Sequence, residues 1–267
     1  MPARLRTFLA RLLPNGPLDV VRQVVLFVGA FQLYRLTRGV VDNPEAATTA
    51  FSNARGLIHF EQALNIFIEP SLQAFAAGQQ WVLDGASWMY VNSQTSITLG
   101  ALTWLYIFRN ESFYFVRNMF LVAFGVALIG YAVFPTAPPR FFPEWGFFDA
   151  VSDFTGVPQD SVTINELFNP YAAVPSMHVA FALMISIPLA RLVKWRSLRV
   201  FWYLYPLLVV FVIVVTANHF IADAVLGAAA AGVGGLAARA MARARPHVWC
   251  FVPAQAQVQP VRATAAP

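Results

Sequence analysis

The chain has 267 residues, of which 58% are hydrophobic and only 12% charged, with a formal net charge of +5. An average soluble domain carries about a quarter charged residues, so this balance excludes an ordinary soluble enzyme and points to a membrane protein. The positive charge does not imply a nucleic-acid partner, because the arginines cluster between apolar runs rather than along one amphipathic face.

Residues 1 to 17 form a basic N-terminal segment with Arg4, Arg6 and Arg11. Runs long enough to approach the ~20 helical residues that cross a ~30 Å hydrocarbon layer begin at 18 to 36. That run is the weakest, since Asp19, Arg22, Gln23, Gln32 and Arg35 interrupt it and place its ends among headgroups. No small-residue cleavage site follows Phe31, and Arg35 and Arg38 close the segment, so it reads as a retained span rather than a signal peptide. From 56 to 77, Phe60, Leu64, Phe67, Leu72 and Phe75 lie near one helical stripe, with Glu61, Gln62, Glu69 and Gln73 elsewhere. This predicts an interfacial helix with Glu61 and Glu69 on solvated faces.

The run at 87 to 108 has a polar, uncharged outer half with Asn92, Ser93, Gln94, Thr95, Ser96 and Thr98. Such a stretch should face the bundle or a wet cavity, which makes Asn92 and Gln94 candidate cavity-lining residues. Arg109 and Arg117 flank the turnaround into the run at 113 to 134, and Arg117 reads as a topology residue. The segment from 135 to 171 holds Arg140 as its only base, five acidic residues, and Phe141, Phe142, Trp145, Phe147, Phe148 and Phe154. A loop of this length is usually functional, and the aromatic residues suit the headgroup level, so it reads as a lid on the outer leaflet.

Further runs lie at 172 to 192, 199 to 216 and 218 to 240, separated by Arg191, Lys194, Arg196 and Arg199 and followed by Arg239, Arg243 and Arg245. The expectation is an all-α, polytopic bundle of six spans over residues 18–245 in the plasma (inner) membrane, with both termini cytoplasmic. Only the segment from 35 to 55, with Arg35, Arg38 and Arg55, sits on the wrong side for this topology. Residues 246–267 read as a disordered cytoplasmic tail, and the single Cys250 argues against disulfides, a thiol metal cluster or redox chemistry.

In this topology the fourth and sixth spans both begin at the outer face. The fourth opens with VPSMH, residues 174 to 178, and the sixth follows TANHFIAD, residues 216 to 223. Histidines and a carboxylate at membrane edges are costly and mark functional sites. His219 and Asp223 are i and i+4, with Cβ atoms ~5 to 6 Å apart, so the carboxylate can fix the imidazole tautomer. Ser176, the N–H groups of a helix start and two imidazoles suit a phosphate, and Arg140 is the natural cationic clamp. Asn218 is a further candidate to bind the phosphate, and Tyr171 to line the site. Spacing leaves open which of His178 and His219 attacks, although the carboxylate favours His219.

FPTAPPR, VPSMH and NHFIADAVLG, in this order, resemble the type 2 phosphatidic acid phosphatase superfamily, in particular its inositol phosphorylceramide synthase-like branch, over residues 56 to 241. The resemblance implies a metal-independent double displacement on a phosphate ester with no cofactor. In it His219 becomes phosphorylated, Asp223 orients it, His178 serves the leaving and accepting oxygens, and Arg140 and Ser176 hold phosphoryl oxygens. Where phosphatases of the superfamily carry a lysine before the first motif and an SR pair before the nucleophile, this chain has Val133, and Val212 with Ile213. That departure favours transfer of a phosphate or phospho-headgroup from a lipid donor to a hydroxyl acceptor over hydrolysis. The competing readings are a lipid phosphatase with the same residues, an intramembrane serine protease at Ser176, which lacks a GxSG elbow, and a transporter or scaffold, which would show paired broken helices or inverted repeats.

Overall fold

The structure, a computed structural model, describes residue 13 and residues 15–41, 44–158 and 170–249. Arg4, Arg6, Arg11, Asp42, Asp160, Glu166, Cys250 and the rest of the tail lie outside the described residues. The described chain is all-α: α1 Pro17–Val41, α2 Pro44–Ala63, α3 Glu69–Ala77, α4 Gln80–Phe108, α5 Asn110–Val133, α6 Ala150–Thr155, α7 Met177–Leu192, α8 Arg196–Val215, α9 Ile221–Ala244 and α10 Pro246–Trp249. Three of these, α5, α8 and α9, are long and apolar enough to cross a membrane, and α7 is a shorter apolar helix. Large side chains such as Leu204 and Leu207 on α8 and Val225 and Leu236 on α9 are exposed, as lipid contact allows and water does not. The chain is membrane-embedded.

The core lies where α5, α7 and α9 pack on one another, with α8 along α7 and α4. Small residues on α9 set the spacing. A Cβ at Gly227 would stand 2.3 Å from the Ser176 carbonyl oxygen, so only glycine lets α9 lie against the start of α7. Gly130 on α5 makes the matching approach to Pro175, whose Cδ would be 2.6 Å from an added Cβ.

The segment expected as one interfacial helix from 56 to 77 is two helices, α2 and α3, joined by a turn in which Asn65 adopts φ 56°. Their polarity is reversed from that of a helix on a soluble protein. Phe60, Leu64 and Phe75 are exposed, whereas Glu61, Glu69 and Gln73 are fully buried, which corrects the expectation that the two glutamates are solvated. The physical reason is that the surroundings of this hairpin are apolar, so its polar groups turn toward the protein, where hydrogen-bond donors wait.

The aromatic loop is also corrected. Phe142 and Phe147 are buried with Ala50, Ala54, Ile58 and Phe220 in a second core, and Trp145 stands edge-on to His59 and Phe67. Gln73 clamps the loop by donating to the Phe148 carbonyl at 2.8 Å and accepting from its N–H at 3.3 Å. The described part of this loop is therefore a wall packed on α2 and α3 rather than a lid on a leaflet.

At the far end of α4 and α5, Arg117 is buried rather than a boundary charge, and Asp19 and Gln23 are buried rather than among headgroups. Asp19 accepts from Tyr114 at 2.6 Å, Tyr106 at 2.9 Å and Gln23 at 2.8 Å. Arg117 donates to Asn118 Oδ1 at 2.7 Å, Gln23 Oε1 at 3.2 Å and the Trp249 carbonyl at 3.3 Å. Folded structure thus runs through Pro246–Trp249, four residues past the expected start of the tail.

Candidate active site

The end of α8, the start of α9, the start of α7 and the FPTAPPR segment meet at one point. The chain leaves α8 through a tight turn in which Ala217 takes φ 53° and the N–H groups of Asn218 and His219 both donate to the Ile213 carbonyl, at 3.1 and 3.2 Å. A left-handed alanine costs roughly 1–2 kcal/mol, and the turn is held by Arg140 N–H donating to the Ala217 carbonyl at 2.9 Å. From α7 the Ser176 N–H donates to the Asp223 carbonyl at 3.0 Å, which ties the two helix starts together.

On this frame His219 Nδ1 lies 3.2 Å from Asp223 Oδ2, and the same oxygen accepts from the Phe220 N–H at 3.0 Å. Asp223 is fully buried and His219 nearly so. The His178 ring stands 5.5 Å from the His219 ring and stacks on Tyr90 at 4.6 Å. The Ser176 hydroxyl is buried with no hydrogen-bond partner among the described residues. Arg140 donates through Nη1 to Asn218 Oδ1, and its Nε is 3.8 Å from Asp149 Oδ2. Asn218 in turn donates to the Thr216 carbonyl at 3.0 Å.

His178, His219, Asp223, Ser176, Arg140 and Asn218 are therefore brought together. Gln94 lines a cavity of about 10 Å³ beside His178, with Ser93, Thr98 and Tyr205, a space of the size one water occupies. Asn92 is not in it. Its side chain is exposed and donates to the Trp88 carbonyl at 2.9 Å, because only every third or fourth residue of the polar stretch on α4 faces inward. Tyr171 is half-buried; its ring meets Phe51 and its carbonyl accepts from Thr136 N–H at 2.9 Å, pinning FPTAPPR. Val133 is exposed, while Val212 and Ile213 are buried in α8, so these three positions present no polar group to the site. Among the described residues no three His, Cys, Asp or Glu side chains converge as metal ligands.

Sequence reasoning missed Glu61 and Glu69. Glu69 Oε1 accepts from Ile221 N–H at 2.9 Å and Glu61 Oε1 from Ala222 N–H at 2.7 Å, so both touch the helix that carries Asp223. The signal that marks them is their place opposite Phe60, Leu64 and Phe75 in a chain whose large apolar residues face outward.

A family model described as the PAP2 superfamily matches residues 55–237, a stretch that holds every residue of this cluster. No curated protein and no solved structure matches the chain.

Proposed function

The chain belongs to the PAP2 superfamily, whose members act broadly on phosphate esters, and on that premise we propose that it is a metal-independent lipid phosphotransferase of the inositol phosphorylceramide synthase-like kind. The observation that carries this reading is His219 Nδ1 at 3.2 Å from a buried carboxylate, with a second histidine on the neighbouring helix start 5.5 Å away. A carboxylate on Nδ1 fixes the proton there and leaves Nε2 as the nucleophilic nitrogen.

In the first step Nε2 of His219 attacks the phosphorus of a lipid donor. The P–N bond forms, the bond from phosphorus to the leaving oxygen breaks, and His178 gives its proton to that oxygen. In the second step His178 takes the proton of an acceptor hydroxyl, the oxygen attacks phosphorus, and the P–N bond breaks. Asp223 stabilises the charge that develops on His219. Ser176 Oγ, Arg140 and the amide of Asn218 face the non-bridging oxygens, where preorganised donors count most.

The same reading places α1, α4, α5, α7, α8 and α9 as six spans of the plasma membrane, with both termini cytoplasmic and the site on the extracytoplasmic side. Transfer is favoured over hydrolysis by Val133, Val212 and Ile213 standing where the phosphatases carry charged or hydroxyl groups. The test is incubation in nanodiscs with phosphate-labelled phospholipids and polyprenyl phosphates, with and without a lipid alcohol, beside His219→Ala. Label in a new lipid supports transfer. Free phosphate alone makes the protein a phosphatase, and turnover equal to that of His219→Ala removes the mechanism.

A further inference from the structure

Helix α9 has no capping side chain at its N-cap position. Phe220 stands at the N-cap position, where serine, threonine, aspartate or asparagine would normally satisfy the first free amides. Those amides are instead taken by groups 152 and 161 positions away in the chain: Ile221 N–H by Glu69 at 2.9 Å and Ala222 N–H by Glu61 at 2.7 Å. With Asp223 taking the Phe220 N–H at 3.0 Å, three consecutive amides end on three carboxyl groups. All three carboxyl groups are fully buried.

Three charges cannot stand there together. The positive end of a helix amounts to about half an elementary charge, and among the described residues no cation pairs with either glutamate. Each glutamate spends one oxygen on its amide, and neither Oε2 meets a protein donor. Held on adjacent amides, the two buried carboxyl groups are neighbours, and two buried carboxyls with no cation beside them settle by keeping one proton between them.

We propose that Glu61 and Glu69 are positioning residues: sharing one proton, they clamp the first two amides of α9 and so hold Asp223 and His219 in line with His178. The inference rests on His219 as the nucleophile. The groups facing Glu61 are Glu69 from α3 and Asp223 from α9, all acidic, with His219 reached only through Asp223. Burial first, and then the bond to Glu69, push Glu61 up to about 9. Across neutral pH Glu61 therefore keeps its proton.

Four proteins in nanodiscs test this: wild type, Glu61→Gln, Glu69→Gln and the double variant. A glutamine in either place mimics the protonated partner, because its amide nitrogen donates to the remaining carboxylate. Wild-type activity should fall toward pH 9, and each single variant should keep kcat within about threefold and lose that fall. In the double variant two amide donors face each other, and kcat should drop about a hundredfold with KM within about threefold. Two independent charged caps would give the opposite pattern, with both singles impaired and the double equal to their product, and that result overturns the pair. Infrared spectra give a readout independent of turnover: wild type should show a protonated carboxyl band at neutral pH that Glu61→Gln removes. Absence of that band in wild type also overturns the proposal. If His219→Ala still turns over, the nucleophile assignment falls instead, whatever the infrared band shows.

Discussion

Where α1 meets the α4–α5 turnaround and α10, Asp19 accepts three hydrogen bonds, and Arg117 and Asn118 donate between them to three acceptors. At the start of α9, Ser176 Oγ and Asp223 Oδ1 have no hydrogen-bond partner among the described residues. Both clusters are buried and polar in a bundle that is otherwise apolar, so both bear a desolvation cost. The first meets it with saturated hydrogen bonding and holds elements together. The second leaves the Ser176 hydroxyl without an acceptor, and a phosphoryl oxygen can supply one. Burial alone does not mark a site; an unmet hydroxyl beside a buried histidine pair and a carboxylate does.

The largest effect expected from breaking this contrast comes at Gly227. In Gly227→Ala the new Cβ meets the Ser176 carbonyl oxygen at 2.3 Å with no flexible side chain to yield. The starts of α7 and α9 must separate, and activity should fall more than about a hundredfold, as misplacement of reacting groups by an ångström does. Assays of Gly227→Ala beside Gly232→Ala, where an added Cβ meets nothing within 4 Å, separate the clash from helix propensity.

Arg117→Ala attacks the saturated end. Removing one partner of a buried charged network costs about 3–5 kcal/mol, so the melting temperature in nanodiscs should drop sharply, while kcat per folded molecule stays near wild type. A selective loss of kcat would place the Asp19–Arg117 network in the catalytic machinery and erase the contrast.

Ser176→Ala should do the reverse. The hydroxyl has no partner to lose, so melting should shift little or upward, while kcat/KM falls about tenfold or more if Oγ meets a phosphoryl oxygen. A further effect is on stability against pH. Folded Glu61 holds its proton to about 9, against an ordinary value of 4.5. Between those values the unfolded chain has released a proton that the folded chain keeps, so Glu61's stabilising contribution is complete below pH 4.5, declines as pH rises, and is gone above about 9. Melting curves across that window should slope downward for wild type and less so for Glu61→Gln.

Much of the site was legible in the sequence because its members carry local marks. His219 and Asp223 are i and i+4, Ser176 and His178 open an apolar run, and Arg140 is the lone base of its segment. What was not legible needed contacts between distant parts of the chain. Glu61 and Glu69 look like the solvated side of an interfacial helix until one sees that the outside is apolar and that Ile221 and Ala222 offer free amides. Arg117 looks like a boundary charge until Gln23 and the Trp249 carbonyl are found against it. Asn92 shows the opposite failure: a polar cluster on a span drew attention as a block, yet the helical period sends Asn92 outward and Ser93 inward. The apolar pattern made α5, α8 and α9 readable, whereas α4 and α1 carry too many polar residues for composition alone to mark them as spans.

The most direct test of the central claim, that the open cluster at the start of α9 performs the chemistry through His219, is rapid quenching of the protein with a phosphate-labelled lipid donor, followed by mapping of the bound label. The account predicts acid-labile, base-stable label on His219, formed faster than product and absent from His219→Ala but retained in Arg117→Ala. Label on another residue, or turnover with no labelled protein at any time, would contradict it.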